Sequence, residues 1–254
     1  MTTEIVSSIV SSGVESLGIA LPPRALSAFE SYFRYLEERR QYFNLTAISG
    51  AEETARFHFL DSLVLLKAAQ FNNMRVIDIG SGAGLPGVPL KIAEPSIDLT
   101  LLDSTSKRVT FLTELSTVLG IGAACLHARA EVAAFDPGLR DGFDIAVSRA
   151  VARLNTLCEL CLPYVRVGGS FIAMKGADSD SEIHEAGGAI SALGAELQGL
   201  FDYKIPYTDS ARRLVLIRKL SATPEKYPRR FARIQKAPIQ LASLGESDGS
   251  VDSR

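Results

Sequence analysis

The densest chemistry in the chain lies in residues 75–90, RVIDIGSGAGLPGVPL. There Asp78 closes an apolar run, and Gly80, Gly82 and Gly84 alternate before a helical pattern starts near Pro86. Glycines so spaced permit a sharp strand-to-helix turn and remove the Cβ atoms that would hold a ligand away from the backbone. Proline suits the first turn of the helix that follows, where its missing N–H costs nothing. A nucleotide-like cofactor over this turn is the expectation, and the spacing leaves two frames open. Gly82, Gly84 and Gly87 satisfy G-x-G-x-x-G, with Asp103 about 20 residues on, the fingerprint of nicotinamide and flavin enzymes. In the other frame Asp78 reaches the ammonium of a bound amino-acid moiety, directly or through water, and Asp103 takes a ribose diol. A carboxylate at Asp78 would repel a pyrophosphate. The chain also ends its sheet in a hairpin and not in a second mononucleotide-binding half. Both points favour the second frame.

Other reactive residues point elsewhere. Cys158 and Cys161 form a CxxC pair inside NTLCELCLPY, an apolar helical pattern in which i and i+3 share a face. No second CxxC exists, and His58, His127 and His184 show no ligand spacing, so buried structural cysteines are expected and no metal. Three cysteines make no disulfide framework and suit a reducing cytoplasm. No pairing of acid and base residues stands out as a catalytic dyad.

The elements that must hold this turn follow from periodicity. Residues 24–43 and 51–70 carry apolar positions near i, i+3, i+4 and i+7, the pattern of amphipathic helices, joined through the turn-forming NLTAISG. From there the period changes. Short apolar runs at 75–79, 98–103, 123–127, 143–148 and 170–175 read as strands, alternating with helical stretches near 86–94, 105–119, 152–162 and 179–193. Such alternation implies a mostly parallel sheet with helices on both faces. Residues 196–204 and 212–220 have no helix between them and predict an antiparallel hairpin at the sheet edge. The expected fold class is α/β, Rossmann-like and seven-stranded. Its expected organisation is a helical extension at 1–72, a cofactor-binding core at 73–220 and a tail at 221–254, basic at first and then polar and disordered from about residue 240.

At 254 residues, 46% hydrophobic and 22% charged, the chain is globular in composition. No apolar run approaches 18 residues and the first ten carry no basic cluster, which argues against membrane insertion or secretion. A net charge of −2 speaks at face value against a nucleic-acid partner. Its distribution reverses that: residues 204–236 carry +8, leaving −10 on the rest. Tyr227 and Phe231 interleave with those cations as stacking groups, the pattern of a phosphate-contacting surface.

D-x-G-x-G-x-G after a strand, an acid at the next strand end and a terminal hairpin resemble the class I S-adenosylmethionine-dependent methyltransferases. NLTAIS at 44–49, RFHFLDSL at 56–63, DIGSGAGLPGVPL at 78–90, LLDSTSKRVTFL at 101–112, VSRAVARL at 147–154, MKG at 174–176 and TPEKYPRR at 223–230 narrow the resemblance. Together they are similar to the bacterial small-subunit ribosomal RNA guanine-N7 methyltransferases, also called glucose-inhibited division protein B, over about residues 24–239. Phe57 between Arg56 and His58, and Met174, depart from the family pattern. The resemblance implies S-adenosylmethionine as cofactor and a guanine in the decoding-site loop of 16S ribosomal RNA as target, free or in an assembling small subunit. It places the cofactor on Gly80, Leu85, Ala130, Glu131 and Arg149, to which fold logic adds Gly82 and Asp103. RNA contacts are expected from Arg56, His58, Lys107, Arg108, Lys175, Arg212, Arg213, Lys226, Arg229 and Arg230, in a cytoplasmic monomer. Guanine N7 carries a lone pair and no proton, so such a reaction relies on positioning and desolvation.

Overall fold

A computed structural model describes residues 2–43, 48–149 and 152–240. The chain folds around a seven-stranded sheet: β1 Arg75–Ile79, β2 Asp98–Asp103, β3 Ala124–His127, β4 Phe143–Arg149, β5 Val165–Gly176, β6 Ala195–Lys204 and β7 Ala211–Lys219, in the order β3-β2-β1-β4-β5-β7-β6. The first five run parallel; β7 pairs antiparallel with both β5 and β6, as the missing helix in that stretch predicts. β1 is central, and after its first residue it is buried throughout, as a strand covered on both faces must be.

Alternate residues of each strand enter two separate cores. On the first face Val76, Leu99, Leu101, Val147 and Ile172 meet α1 (Thr2–Leu17), α2 (Ala25–Phe43), α6 (Gly87–Ala93) and α7 (Ser106–Leu119). On the second, Ile77, Ile79, Leu102, Ala146 and Phe171 meet α8 (Ala130–Ala133), α9 (Leu154–Cys161), α10 (Asp180–Ala192) and α11 (Phe231–Lys236). Each fully buried Leu, Ile or Phe contributes roughly 1.5–3 kcal/mol. Cys158 and Cys161 are wholly buried and free, and burial pushes both thiols up.

Three elements differ from the expectation. The N-terminal residues, which fall in the expected helical extension but ahead of its two predicted helices, form a further helix α1, whose Val6, Val10 and Val14 repeat at helical spacing and reach the first core. The helix expected over 51–70 is interrupted: α3 (Ala51–Thr54) passes into a π-turn, Ala55–Leu60, before α4 (Asp61–Leu63) and α5 (Leu65–Ala68). The basic segment after β7 contains α11 and packs on the second face. Residues 44–47 of the expected turn, residues 150–151 of VSRAVARL and the polar stretch from 241 lie outside the described residues.

Candidate functional site

The glycine turn sits at the carboxyl ends of β1 and β2, where open α/β sheets place their ligands. Asp78 is completely buried there. Its Oδ2 accepts the Gly87 N–H at 2.9 Å, while Oδ1 has no hydrogen-bond partner among the described residues. Burial pushes this carboxyl up to about 7, against the opposing pull of the Gly87 N–H and Arg149. An orphaned buried carboxylate oxygen fits a cationic ligand group such as an ammonium.

The glycines divide by what they face. Gly82 has φ +56°, and a Cβ there would meet nothing closer than the Gly80 carbonyl at 3.9 Å, so its open side is available to a ligand. A Cβ on Gly87 would lie 2.8 Å from Leu101 and 2.9 Å from Asp78 Oδ2; one on Gly84 would strike Val88 and the Tyr32 hydroxyl. Packing at Gly87 suits either frame, but the second glycine of the dinucleotide frame has to face a pyrophosphate, and Gly84 faces Val88 and Tyr32 instead, which disfavours that frame. From α2, Tyr32 closes the back of the turn by donating to the Ala83 carbonyl at 2.5 Å.

Asp103 ends β2 with both carboxylate oxygens engaged. Oδ2 accepts the Gly82 N–H at 3.0 Å, Oδ1 accepts the Thr105 N–H at 2.8 Å, and Arg108 stands 3.5 Å away. A carboxylate has about four lone-pair sites, so capacity for sugar hydroxyls remains. Gly80, Asp103, Ala130 and Glu131 line one cavity of about 130 Å³ with Leu160 and Phe231. Leu85 is buried in the first core behind the turn.

Arg149 closes β4 away from that cavity. Its guanidinium donates to the Phe57 carbonyl at 2.9 Å and to Asp61 Oδ2 at 3.1 Å, and lies 3.2 Å from His58 Nδ1. The Phe57 carbonyl that takes this bond lies within the π-turn. Tyr203 of β6 completes the cluster, donating to Asp61 Oδ1 at 2.7 Å. Burial, reinforced by Arg149, pulls His58 down to about 4, leaving it neutral near pH 7. These groups line a second cavity of about 490 Å³ with Met174, Lys175 and Arg212, within the range of small-molecule sites.

A family model described as GidB, rRNA small subunit methyltransferase G, matches residues 25–208. The chain belongs to this family. It is 42% identical over 237 residues to ribosomal RNA small subunit methyltransferase G of Pelotomaculum thermopropionicum, covering 92% of this chain and 99% of that protein. The counterpart from Bacillus cytotoxicus is 43% identical over 225 residues, covering 88% and 94%. Among solved structures, mitomycin 7-O-methyltransferase MmcR superposes with a TM-score of 0.51 at 16% identity, covering 74% of this chain and 60% of that one, a likeness of fold alone. The GidB family consists of S-adenosylmethionine-dependent methyltransferases, which agrees with the turn frame favoured by Asp78.

The expected RNA-contact residues fall into two groups. Lys107, Lys226 and Arg230 are exposed, and Arg56, Arg108 and Arg212 are half-buried, with Arg56 3.2 Å from Glu52. Three others are consumed by carboxylates. Arg213 is held by Asp202 and Asp180, and Lys175 donates to Glu182 at 2.6 Å. Arg229 is gripped by the fully buried Glu159 through its own backbone N–H and its guanidinium, at 2.7–3.2 Å. The expectation of a phosphate contact from Arg229 is therefore corrected: a cation neutralising a buried carboxylate has a structural task. His58 is buried within the Arg149 cluster, where it borders the 490 Å³ cavity but stands off the exposed basic surface. Asp61, Tyr203 and Glu159 escape sequence reading because their partners lie 88, 142 and 70 residues away. Among the described residues no group of His, Cys, Asp or Glu could hold a metal, and no helix is long and apolar enough to cross a membrane.

Proposed function

We propose that this chain transfers a methyl group from S-adenosylmethionine to N7 of a guanine in small-subunit ribosomal RNA. The observation that carries the reading is the position of Arg149. It ends β4, whose Val147 pairs with Asp78 of β1 and whose Ser148 donates to the Ile79 carbonyl, and it lines the 490 Å³ cavity, so the cavity borders the strand end that carries the glycine turn. Asp78 would hold the cofactor's ammonium, Asp103 its ribose and the Ala130–Glu131 segment its adenine. The bound cofactor supplies an electrophilic methyl carried on a sulfonium.

The chain's own residues then bind and orient. Phe57, Met174 and Tyr203 offer apolar and aromatic walls to a base drawn out of a single-stranded loop, the usual way proteins read RNA bases. Arg149 has five N–H donors, three of them used by Phe57, Asp61 and His58. A remaining one suits the guanine O6 while N7 stays open. No group need accept a proton from N7, since guanine N7 carries none. Exposed Lys107, Lys226 and Arg230, with half-buried Arg56, Arg108 and Arg212, supply the phosphate-contacting face. We read the protein as a cytoplasmic monomer acting on 16S RNA, free or in an assembling subunit.

The test is incubation with labelled S-adenosylmethionine and unmodified ribosomal RNA or small subunits, followed by mapping of chain cleavage at N7-methylguanine. A single labelled guanine in the small-subunit RNA is expected. Absence of label in any ribosomal RNA overturns the reading.

A further inference from the structure

The segment that follows β7 is strapped to the second face of the sheet by polar contacts distributed along it. Arg140 donates to the carbonyls of Thr223 at 2.8 Å and Tyr227 at 3.1 Å. Lys219, completely buried, donates to the Leu162 carbonyl at 2.7 Å and to the Thr223 hydroxyl. Glu159 on α9 takes the backbone and side chain of Arg229, and Ile234 is fully buried beyond it. This is a docked element with a defined register.

Phe231 leaves that strap two residues after the Arg229 anchor and lines the 130 Å³ cavity opposite Gly80, Asp103, Ala130 and Glu131. The same cavity takes Leu160 from α9, the residue next to Glu159. One turn of α9 thus fixes both the strap and a wall of the cofactor cleft. Phe231 is half-buried, packed on the second core while still bordering the cavity.

We propose that Phe231 is a cofactor-positioning residue, an aromatic face for the adenine of S-adenosylmethionine, delivered by the C-terminal strap. The proposal rests on the methyltransferase reading of this site. Stacking on an aromatic side chain is tolerant of base identity and, in the lower half of its range, amounts to about a tenfold gain in affinity.

Calorimetry with S-adenosylhomocysteine tests this on the full chain. Phe231→Ala should raise Kd roughly tenfold, and Phe231→Tyr should stay within about twofold of the unsubstituted protein. The chain contains no tryptophan, so Phe231→Trp introduces a single indole, whose emission should be quenched as the ligand saturates the site. Loss of folding alone would not produce that quenching. If the unsubstituted protein binds S-adenosylhomocysteine but Phe231→Ala binds equally well, or the indole emission is indifferent to ligand, the proposal is overturned. If Phe231→Ala does not fold, the indole emission decides. Failure of the unsubstituted protein to bind overturns the methyltransferase reading itself.

Discussion

The carboxyl of Asp78 should make cofactor affinity depend on pH in one direction over a narrow window. Buried beside Gly87 with one oxygen unpartnered, it is held up at about 7 in the ligand-free protein, against an ordinary 3.8. Between those values the folded chain binds more protons than the unfolded one, so this group's contribution to stability falls as pH rises from about 4 through 7. A bound ammonium reverses the balance by pairing with the ionised form. Below pH 7, cofactor binding must therefore expel the proton: at pH 6 about 0.9 protons per site leave, and at pH 7.5 about 0.2. If only the carboxylate binds the ammonium, Kd at pH 6 exceeds that at pH 7.5 by roughly eightfold. Above about pH 8 the ammonium itself is lost and affinity should decline again. Calorimetry in two buffers of different ionisation enthalpy reads the proton count directly. Asp78→Asn keeps the acceptor for Gly87 and should bind more weakly with a flat profile from pH 6 to 7.5. Proton release near zero at pH 6, or the same slope in Asp78→Asn, would refute the reasoning.

Three further expectations follow from the same geometry. Arg229→Met strands the buried Glu159 and should destabilise the fold by about 3–5 kcal/mol in urea unfolding, whereas replacing both residues with leucine should regain most of that; a loss under about 1 kcal/mol would return Arg229 to the surface. Gly82→Val places a branched side chain at φ +56° on the open side of the turn, and should abolish cofactor binding at a folding cost of about 1–2 kcal/mol, measured by calorimetry beside thermal unfolding. Lys226→Ala combined with Arg230→Ala should leave cofactor affinity near its original value and lower the salt slope of RNA binding by roughly 1–1.5, while an unchanged slope would place the phosphates elsewhere.

Legibility in the sequence followed the range of the interactions involved. Asp78 and Asp103 could be placed because each ends a short apolar run next to turn-forming glycines, a pattern complete within a few residues. The hairpin was readable for the same reason, two strands with no helix between them. The cluster around Arg149 was not, because Asp61 and Tyr203 acquire meaning only when α4 and β6 are brought to the end of β4. The π-turn at Ala55–Leu60 has ordinary helical composition, so nothing in its residues announces that Phe57 will offer its carbonyl to Arg149. Counting charges misled in a specific way. The +8 of residues 204–236 includes Arg213, Lys219 and Arg229, whose carboxylate partners Asp180, Asp141 and Glu159 all lie outside that stretch. The basic face is real at Arg212, Lys226 and Arg230 but smaller than the tally.

The grip of Glu159 on Arg229 also sets an order of events during synthesis. Glu159 is made 70 residues before its counter-ion, an interval of roughly 4–14 s at ordinary rates of chain elongation. Until then, closing the second face would bury a carboxylate alone, which is strongly unfavourable. The first face can close sooner, since α1, α2, α6 and α7 are complete by residue 119 and its own buried acid, Asp61, meets Arg149 80 residues before Arg229 is made. The two sides of one sheet thus mature at different times, and a chain interrupted before residue 229 keeps an unfinished apolar face accessible to chaperones and proteases. Limited proteolysis of stalled chains of increasing length should show α9 protected abruptly once Arg229 has emerged, and gradual protection would argue against such a latch.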